Sequence, residues 1–515
     1  MTHGTTKPTS RRGRRARLAD ADGTARSGDV HRVVPLGSRG GAFNPLSDHE
    51  VGEVHAAVLD VLATIGLGDA PHSIAEPICA CGGSITEAGR LLFPATLVEE
   101  IIAKAARPVT LHGRTDLHTL ELSPGRVYCG PGGAAPEMLD HRTQAFRPAR
   151  LQDVYEAARV VDALEHTHFF VRPVVARDIE DPMRMDIATA YAALTGTTKP
   201  VFVSAAAPEH VDAIATLCAE TVGGADVFRG APFLALNINH VVPPLRFDPH
   251  SCAVMIAALR HGIPMQINAF DQAGASSPAS LAGSLVQSLA ECLAGLVVAH
   301  CIDDRAVGII GPRTLVADLR TGALTGGSGE QAIATAAAAQ MCRHYGLANS
   351  CIAGGTDAKL PDAQSGYEKA HAVALAAHAG CNLITQACGV QASLMACALE
   401  SYVIDNDMLG CILRGVRGME ISRETLAQEV IATAVGGDNH FLAASDTYRR
   451  MKTDYLYPDI ADRRSIAEWQ DAGAPDIRTT ATRRVEDILA AAQQPYIDAA
   501  VDARLRARFD LPQLF

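Results

Sequence analysis

The chain is predicted to be an α/β protein: a TIM-type (β/α)8 barrel with an N-terminal helical cap and a C-terminal helical appendage. Three observations lead there. From about Pro108 short apolar runs alternate with alanine-rich helical runs, the pattern of parallel strands covered by helices. The apolar runs number close to eight, the strand count of a closed barrel. The open doubly wound alternative lacks its usual marks, since no G-x-G-x-x-G follows the first strand and no P-loop lysine motif occurs.

In chain order, residues 1–40 read as a disordered basic tail. RRGRRAR (Arg11 to Arg17) is followed by LADADGTARSGD, which supplies no apolar core for an export signal. The cap, residues 41–107, opens on Ser47 and Glu50, a capping box ahead of Val51, Val54, Val58, Val61 and Leu62 at helical spacing. A helix near Ile74 to Cys81, a short strand in RLLFP and a helix in ATLVEEIIAKAA complete it. The barrel domain is drawn at residues 108–450. Its strands are read in PVTLHG, RVYCG, HFFVRPVVA, PVFVSAA, PFLALNINH, PMQINAF, AVGIIG, NSCIAGG and CNLITQACG. Residues 451–515 are more polar, hold the single tryptophan, Trp469, and end in helical runs from Arg483 and Pro495. They read as an appendage packed on the barrel or on a second subunit of a homo-oligomer.

Composition narrows the function. With 515 residues, 48% of them hydrophobic, the chain can bury a large core. A net charge of −12 argues against nucleic acid as a partner and mildly favours cationic ligands. The 13 cysteines stand mostly in apolar contexts such as ATLCAE and MACALE, as buried free thiols of a cytoplasmic protein do. Cys79 and Cys81 form only C-x-C, without a second pair at zinc spacing. No run of about 18 apolar residues is read, so no membrane span is expected.

The densest polar segment is GGTDAKLPDAQSGYEK, Gly354 to Lys369, between the strand NSCIA and the helix AHAVALAAHAG. In a barrel such a strand-to-helix connection lies at the catalytic mouth, so Thr356, Asp357, Lys359, Asp362 and Gln364 form the strongest active-site signal. Other strand ends contribute Asn237, Asn239 and His240, then Gln266 and Asn268, then Arg313 and Gln386, and RVYCGPGG brings Tyr128 beside a glycine-rich turn. Each alone has a structural explanation as a cap or a packed side chain. Their convergence on one rim, at the desolvation cost of so many polar groups, argues for a ligand. The chain has no H-E-x-x-H and no G-x-S-x-G elbow. Amides and a few charges suit a site that positions a small polar molecule for a reagent brought from elsewhere.

Several segments resemble the trimethylamine methyltransferase family. They are ASSPASLAGSLVQSLAECLAGLV (Ala275 to Val297), DLRTG (Asp318 to Gly322), RHYGL (Arg343 to Leu347), the Gly354 to Lys369 loop, MLGCILRGVRGMEI (Met408 to Ile421), GGDNHFL (Gly436 to Leu442) and DRRSIAEW (Asp462 to Trp469). Ser276 and Ser277 depart from the family's threonine-containing run, and Asp446 stands where a histidine is expected. The resemblance implies a barrel enzyme that moves a methyl group from a methylated amine to the Co(I) of a separate corrinoid protein. With only standard residues the chain is similar to the non-pyrrolysine branch, which includes glycine betaine methyltransferases. It further implies that Asp357, Lys359, Asp362 and Gln364 are catalytic, with Thr356 beside them where substrate meets cobalamin. Tyr128 would be one wall for the ammonium, Arg313 or Arg343 would hold a substrate carboxylate, and Asn237, Asn239, His240, Gln266, Asn268 and Gln386 would line the pocket.

No D-x-H-x-x-G corrinoid segment occurs, DLHTLE lacking the final glycine, so no cofactor is expected to be tightly bound and cobalamin comes from a partner. Two alternatives stay open: methyl transfer directly to tetrahydrofolate or from a sulfonium, and a non-catalytic binder of methylated osmolytes.

Overall fold

A computed structural model describes residues 33–437, 439–492 and 495–514. The chain divides into two compact units, one of residues 36–419 with 456–514 and one of residues 420–455 with the short stretch before Leu36.

In the larger unit eight strands alternate with eight helices. In order they are β1 (Arg126–Cys129), α1 (Leu151–Ala163), β2 (Phe170–Val171), α2 (Pro182–Gly196), β3 (Val201–Val203), α3 (Pro208–Val222), β4 (Leu234–Ile238) and α4 (Pro249–His261). There follow β5 (Met265–Ala273), α5 (Leu281–Ile302), β6 (Gly308–Asp318), α6 (Gly329–His344), β7 (Ser350–Ile352), α7 (Ala363–His378), β8 (Leu383–Thr385) and α8 (Leu399–Arg417). Strands β2 to β6 pair in parallel with their sequence neighbours, and β7, β8 and β1 form a second parallel set. Ile310 on β6 bridges Asn349 just before β7, and His168 N donates to Cys129 O at 2.7 Å between β1 and β2. The result is a curled, barrel-like sheet with helices outside.

The alternation of side chains along a strand gives this sheet an inner face. Tyr128, Phe169, Phe202, Ala235, Ile309, Ala348 and Leu383 form one buried cluster near the strand starts. Val109, Leu111, Leu120 and Leu122 join it. These four belong to an antiparallel hairpin, Val109–Leu111 with Leu120–Leu122, that closes the amino-terminal end of the sheet. PVTLHG is therefore a plug and not a barrel strand, because its pairing partner runs antiparallel and lies only a few residues on. Continuing the same parity, Asn237, Gln266, Asn268, Gly311, Arg313, Ser350 and Thr385 face inward above the cluster.

Three helices precede the barrel-like sheet: Asp48–Asp60, capped by the reciprocal Ser47 and Glu50 bonds, His72–Ala80 and Ala95–Ala105. They pack on α5, which also packs on β5 and β6. Covered on both sides, α5 is apolar almost all round. By length and composition it is the one helix among the described residues that qualifies to cross a membrane, yet it is mostly buried within the protein. It holds no run of 18 apolar residues, since Ser284, Gln287, Ser288 and Glu291 interrupt it. The predicted tail also ends earlier than residue 40, since Ser38–Arg39 pairs antiparallel with β1, and most of the rest lies outside the described residues.

After residue 456, helix Ile477–Ala490 packs on α8 and α1, and helix Ala499–Phe509 packs on α3. Arg159 donates to the carbonyls of Ile488, Leu489 and Ala491, a cap for that helix end. The compact division falls after Met419, not at 450 as the polarity change suggests. In the smaller unit, helices Gln428–Val435 and Ser445–Thr453 bury no residue fully.

Candidate active site

The inner face carries a buried polar cluster built on β5 to β8, called the hollow from here on for its unpartnered polar atoms. Arg313 is 6% exposed. Its Nε and Nη2 donate to Asn268 Oδ1 at 3.1 and 2.8 Å, its Nη1 reaches Thr385 Oγ1 at 3.4 Å, and the guanidinium stacks 4.9 Å from the Phe270 ring centre. No carboxylate is among these partners. Burial lowers the Arg313 pKa from the ordinary arginine range to about 10, which still leaves the group cationic at neutral pH. Gly311 lies between its neighbours on this face. A Cβ there would collide with Asn268 Oδ1 and come within 2.9 Å of Ser350 Oγ and 3.3 Å of Arg313 Nε, so the glycine makes room for the amide that holds Arg313.

On the same inward face buried polar atoms lack partners, both amide atoms of Gln266 and Ser350 Oγ, as does Gln386 Oε1 just after β8. Each such atom costs about 1–3 kcal/mol if left dry, and a native interior keeps few of them. A dry cation without an acid, beside orphaned amide and hydroxyl groups, is suited to a small ligand with an anionic end. Asn237 is half-buried and sits opposite Gln266 across β4 and β5. Asn239 is exposed at the strand end.

The loop from Gly354 behaves differently. Its polar groups are largely satisfied by one another and by Glu368, a buried residue that the sequence reading passed over. Glu368 Oε2 accepts from Thr356 Oγ1 at 2.6 Å and Asp357 N at 2.9 Å, and its Oε1 accepts from Gln364 Nε2 at 2.9 Å. Burial works to raise the Glu368 pKa, but these bonds outweigh it and hold the group below the usual range. Asp357 Oδ1 accepts from Gly326 N and Ser393 Oγ, both at 2.6 Å. Asp362 caps α7 by accepting from Ser365 N at 3.1 Å. Lys359 is exposed and donates to Asp357 O at 2.7 Å. So Thr356, Asp357, Asp362 and Gln364 build the loop, and only Lys359 among them extends an uncommitted charge toward solvent.

Three further expectations are corrected. Tyr128 belongs to the apolar cluster at the plugged end, with its hydroxyl donating to Glu121 O at 3.0 Å, because its parity on β1 aligns it with Leu383. Arg343 sits in the last turn of α6 and ties the chain together by donating to Ala379 O at 3.1 Å and Asn44 Oδ1 at 2.5 Å. His240 is fully buried outside the hollow, its Nε2 against Glu291 O at 2.9 Å, and burial lowers its pKa to about 4. Of the residues expected to meet, Asn268 and Arg313 are in contact, and Gln386 follows Thr385 directly. Ser350, Thr385, Gly311 and Phe270 were missed. Their parity with Arg313 along paired strands was the available signal.

A parallel, barrel-like α/β fold with a buried, arginine-centred polar cluster on its inner face defines the class, an α/β protein built on a curled, barrel-like sheet. The chain belongs to the trimethylamine methyltransferase family, whose model matches residues 10–510. It is 28% identical to a glycine betaine methyltransferase of Desulfitobacterium hafniense, covering 90% of this chain and 96% of that one. It is 30% identical to a trimethylamine methyltransferase of Methanosarcina barkeri, over 91% and 95% of the two chains. Among solved structures it is similar in fold to the Methanosarcina barkeri monomethylamine methyltransferase, with a TM-score of 0.51, 12% identity, and coverage of 88% and 90%.

Proposed function

We propose that the protein transfers a methyl group from a methylated amine bearing a carboxylate, a betaine, to the Co(I) of a separate corrinoid protein, within a closed (β/α)8 barrel. The observation that carries the substrate end is Arg313, a buried cation with no acid beside it. A carboxylate would accept a two-pronged bond from its guanidinium, and Ser350 Oγ and the Gln266 amide offer it further donors. Asn268 and Phe270 hold the guanidinium from two sides, so the fork is already oriented before the ligand arrives.

With its acid end held at Arg313, a betaine would direct its ammonium toward the strand ends. A quaternary nitrogen leaves as a neutral amine, so no proton has to be delivered to it, and the hollow's own groups need only bind, align and exclude water. The docked corrinoid would supply the nucleophile that takes the methyl. The rim fits a docked partner: Lys359, Leu360, Tyr367 and Met395 are exposed there on the loops after β7 and β8 and on the first turn of α7. Asp357 and Glu368 would keep that rim in shape.

The test is to incubate purified protein with a panel of betaines and carboxylate-free amines plus Co(I) cobalamin and follow methylcobalamin absorbance. Betaines should react. Turnover of trimethylamine with none of the betaines would refute the substrate reading, and turnover with tetrahydrofolate alone would refute the corrinoid reading.

A further inference from the structure

Behind β5, on the face turned away from the hollow, two acids meet without a counter-ion. Asp271 on β5 and Glu291 on α5 have no exposed surface. Gln287 Nε2, with two hydrogens, lies within reach of three acceptors, Ser276 O at 2.9 Å, Asp271 Oδ1 at 3.1 Å and Glu291 Oε1 at 3.3 Å, and Leu245 N donates to Glu291 Oε1 at 2.7 Å. The remaining oxygens, Asp271 Oδ2 and Glu291 Oε2, have no hydrogen-bond partner, so two carboxyls crowd one amide nitrogen with an oxygen each left over. Two acceptor oxygens can bond only through a hydrogen, and two like charges in one dry site cannot both persist.

We propose that Asp271 and Glu291 share one proton at neutral pH, and that this proton fastens the end of β5 to α5 and to the hairpin around Leu245, making the pair positioning residues for the hollow. The route is short. Asp271 adjoins Phe270, on which the Arg313 guanidinium rests, and Leu245 O in turn accepts from Gly68 N at 2.9 Å and Arg90 Nη2 at 3.2 Å.

The neighbours leave the pair to itself. His240 presents Nε2 to the Glu291 carbonyl and is kept neutral by burial. Cys292, next on α5, is held protonated by burial. Thr314 on β6, aligned with Asp271, and Ser288 on α5 bring neutral hydroxyls. Arg90 bonds the Leu245 carbonyl, Arg246 lies 4.0 Å from Asp69, and Arg313 is on the opposite face of β6. Burial raises both carboxyls, and the charge of Asp271 raises Glu291 further. An acid whose folded pKa is raised stabilises the fold most below its unfolded pKa, and that contribution is lost as pH climbs through the window up to the folded value.

The experiment uses the full chain and Glu291→Gln, which keeps shape and can donate to Asp271. Infrared spectra at pH 7 should show a neutral carboxylic acid band in the wild type that is absent from Glu291→Gln. The wild-type melting temperature should fall between pH 6 and 9, and the variant's should fall less. If the variant fails to fold, the wild-type band should fade with alkaline pH on the same curve as the melting temperature. No neutral-acid band at pH 7, or a cation bound stoichiometrically at the pair by elemental analysis, overturns the proposal. A third reading, which rests on the betaine function, is that KM rises at alkaline pH in the wild type but not in Glu291→Gln. An unchanged KM with the band present would refute the positioning role alone, and absent turnover would count against the betaine function while the spectra still decide the proton.

Discussion

Replacing Arg313 with methionine tests the substrate reading where its energetics are largest. The fall of the Arg313 pKa from the ordinary arginine range to about 10 corresponds to about 3 kcal/mol, at about 1.4 kcal/mol per pH unit. Because the folded pKa of a base is lowered, the cost is fully present below pH 10 and is relieved only as pH rises through that value toward the ordinary arginine range. At neutral pH the free protein bears all of it. A bound carboxylate would offset it, so Arg313→Met should lose about 3 kcal/mol of transition-state binding for a betaine, roughly 150-fold in kcat/KM. For a methylated amine without a carboxylate the loss should be small. The ligand-free variant gives up bonds to Asn268 and Thr385 worth about 1 kcal/mol each but sheds the dry charge, so its melting temperature should not drop. Arg313→Lys keeps the charge without the planar fork and should fall between. The assay is methylcobalamin formation from paired substrates that differ only in the carboxylate. Equal losses on both, or none on the betaine, would refute the assignment.

Gly311→Ala places a methyl against Asn268 and Ser350 and should cost about 1–3 kcal/mol of stability by overpacking, with a raised betaine KM in steady-state kinetics of the folded variant. Glu368→Ala removes the acceptor for Thr356, Asp357 and Gln364 and should cost about 3 kcal/mol. Hydrogen exchange should rise in residues 354–363 above the rest of the chain. Tyr128→Phe should lose about 1 kcal/mol in denaturant titration and leave kcat/KM unchanged, whereas a changed KM would return Tyr128 to the pocket.

The alternation of apolar strands with helices was legible because each β/α unit is local in sequence; each of the eight observed strands overlaps a run read for it, with β5 and β6 extending beyond theirs to Ala273 and Asp318. What failed was non-local. The hairpin strand Val109–Leu111 and β3 are both three-residue strands within apolar-rich runs, and the direction of the pairing partner distinguishes a plug from a wall. The burial of α5 on both faces depends on three cap helices that precede it by some 180 residues or more. Helices Gln428–Val435 and Ser445–Thr453 carry helical patterns like those of barrel helices but bury no residue fully, which periodicity does not disclose.

The site was read in the wrong currency. Five polar residues in nine positions made the Gly354 loop conspicuous, yet a loop must satisfy its own irregular backbone, and polar side chains nearby are the means. Glu368, 11 and 12 positions beyond Asp357 and Thr356, absorbs much of that loop's hydrogen-bonding capacity. A strand offers no such outlet, because every second side chain is committed to one face. In GIIGPRTLVAD a single arginine stands among apolar residues, and whichever face it takes, its desolvation has to be answered by something. Parity with Ile309 commits it to the interior, the same parity on neighbouring strands delivers Asn268, Ser350 and Thr385, and none of these is an acid. One charged residue inside an apolar strand therefore carries more information about a ligand than a cluster of charges in a loop, and the missing counter-ion specifies the charge that ligand should bring.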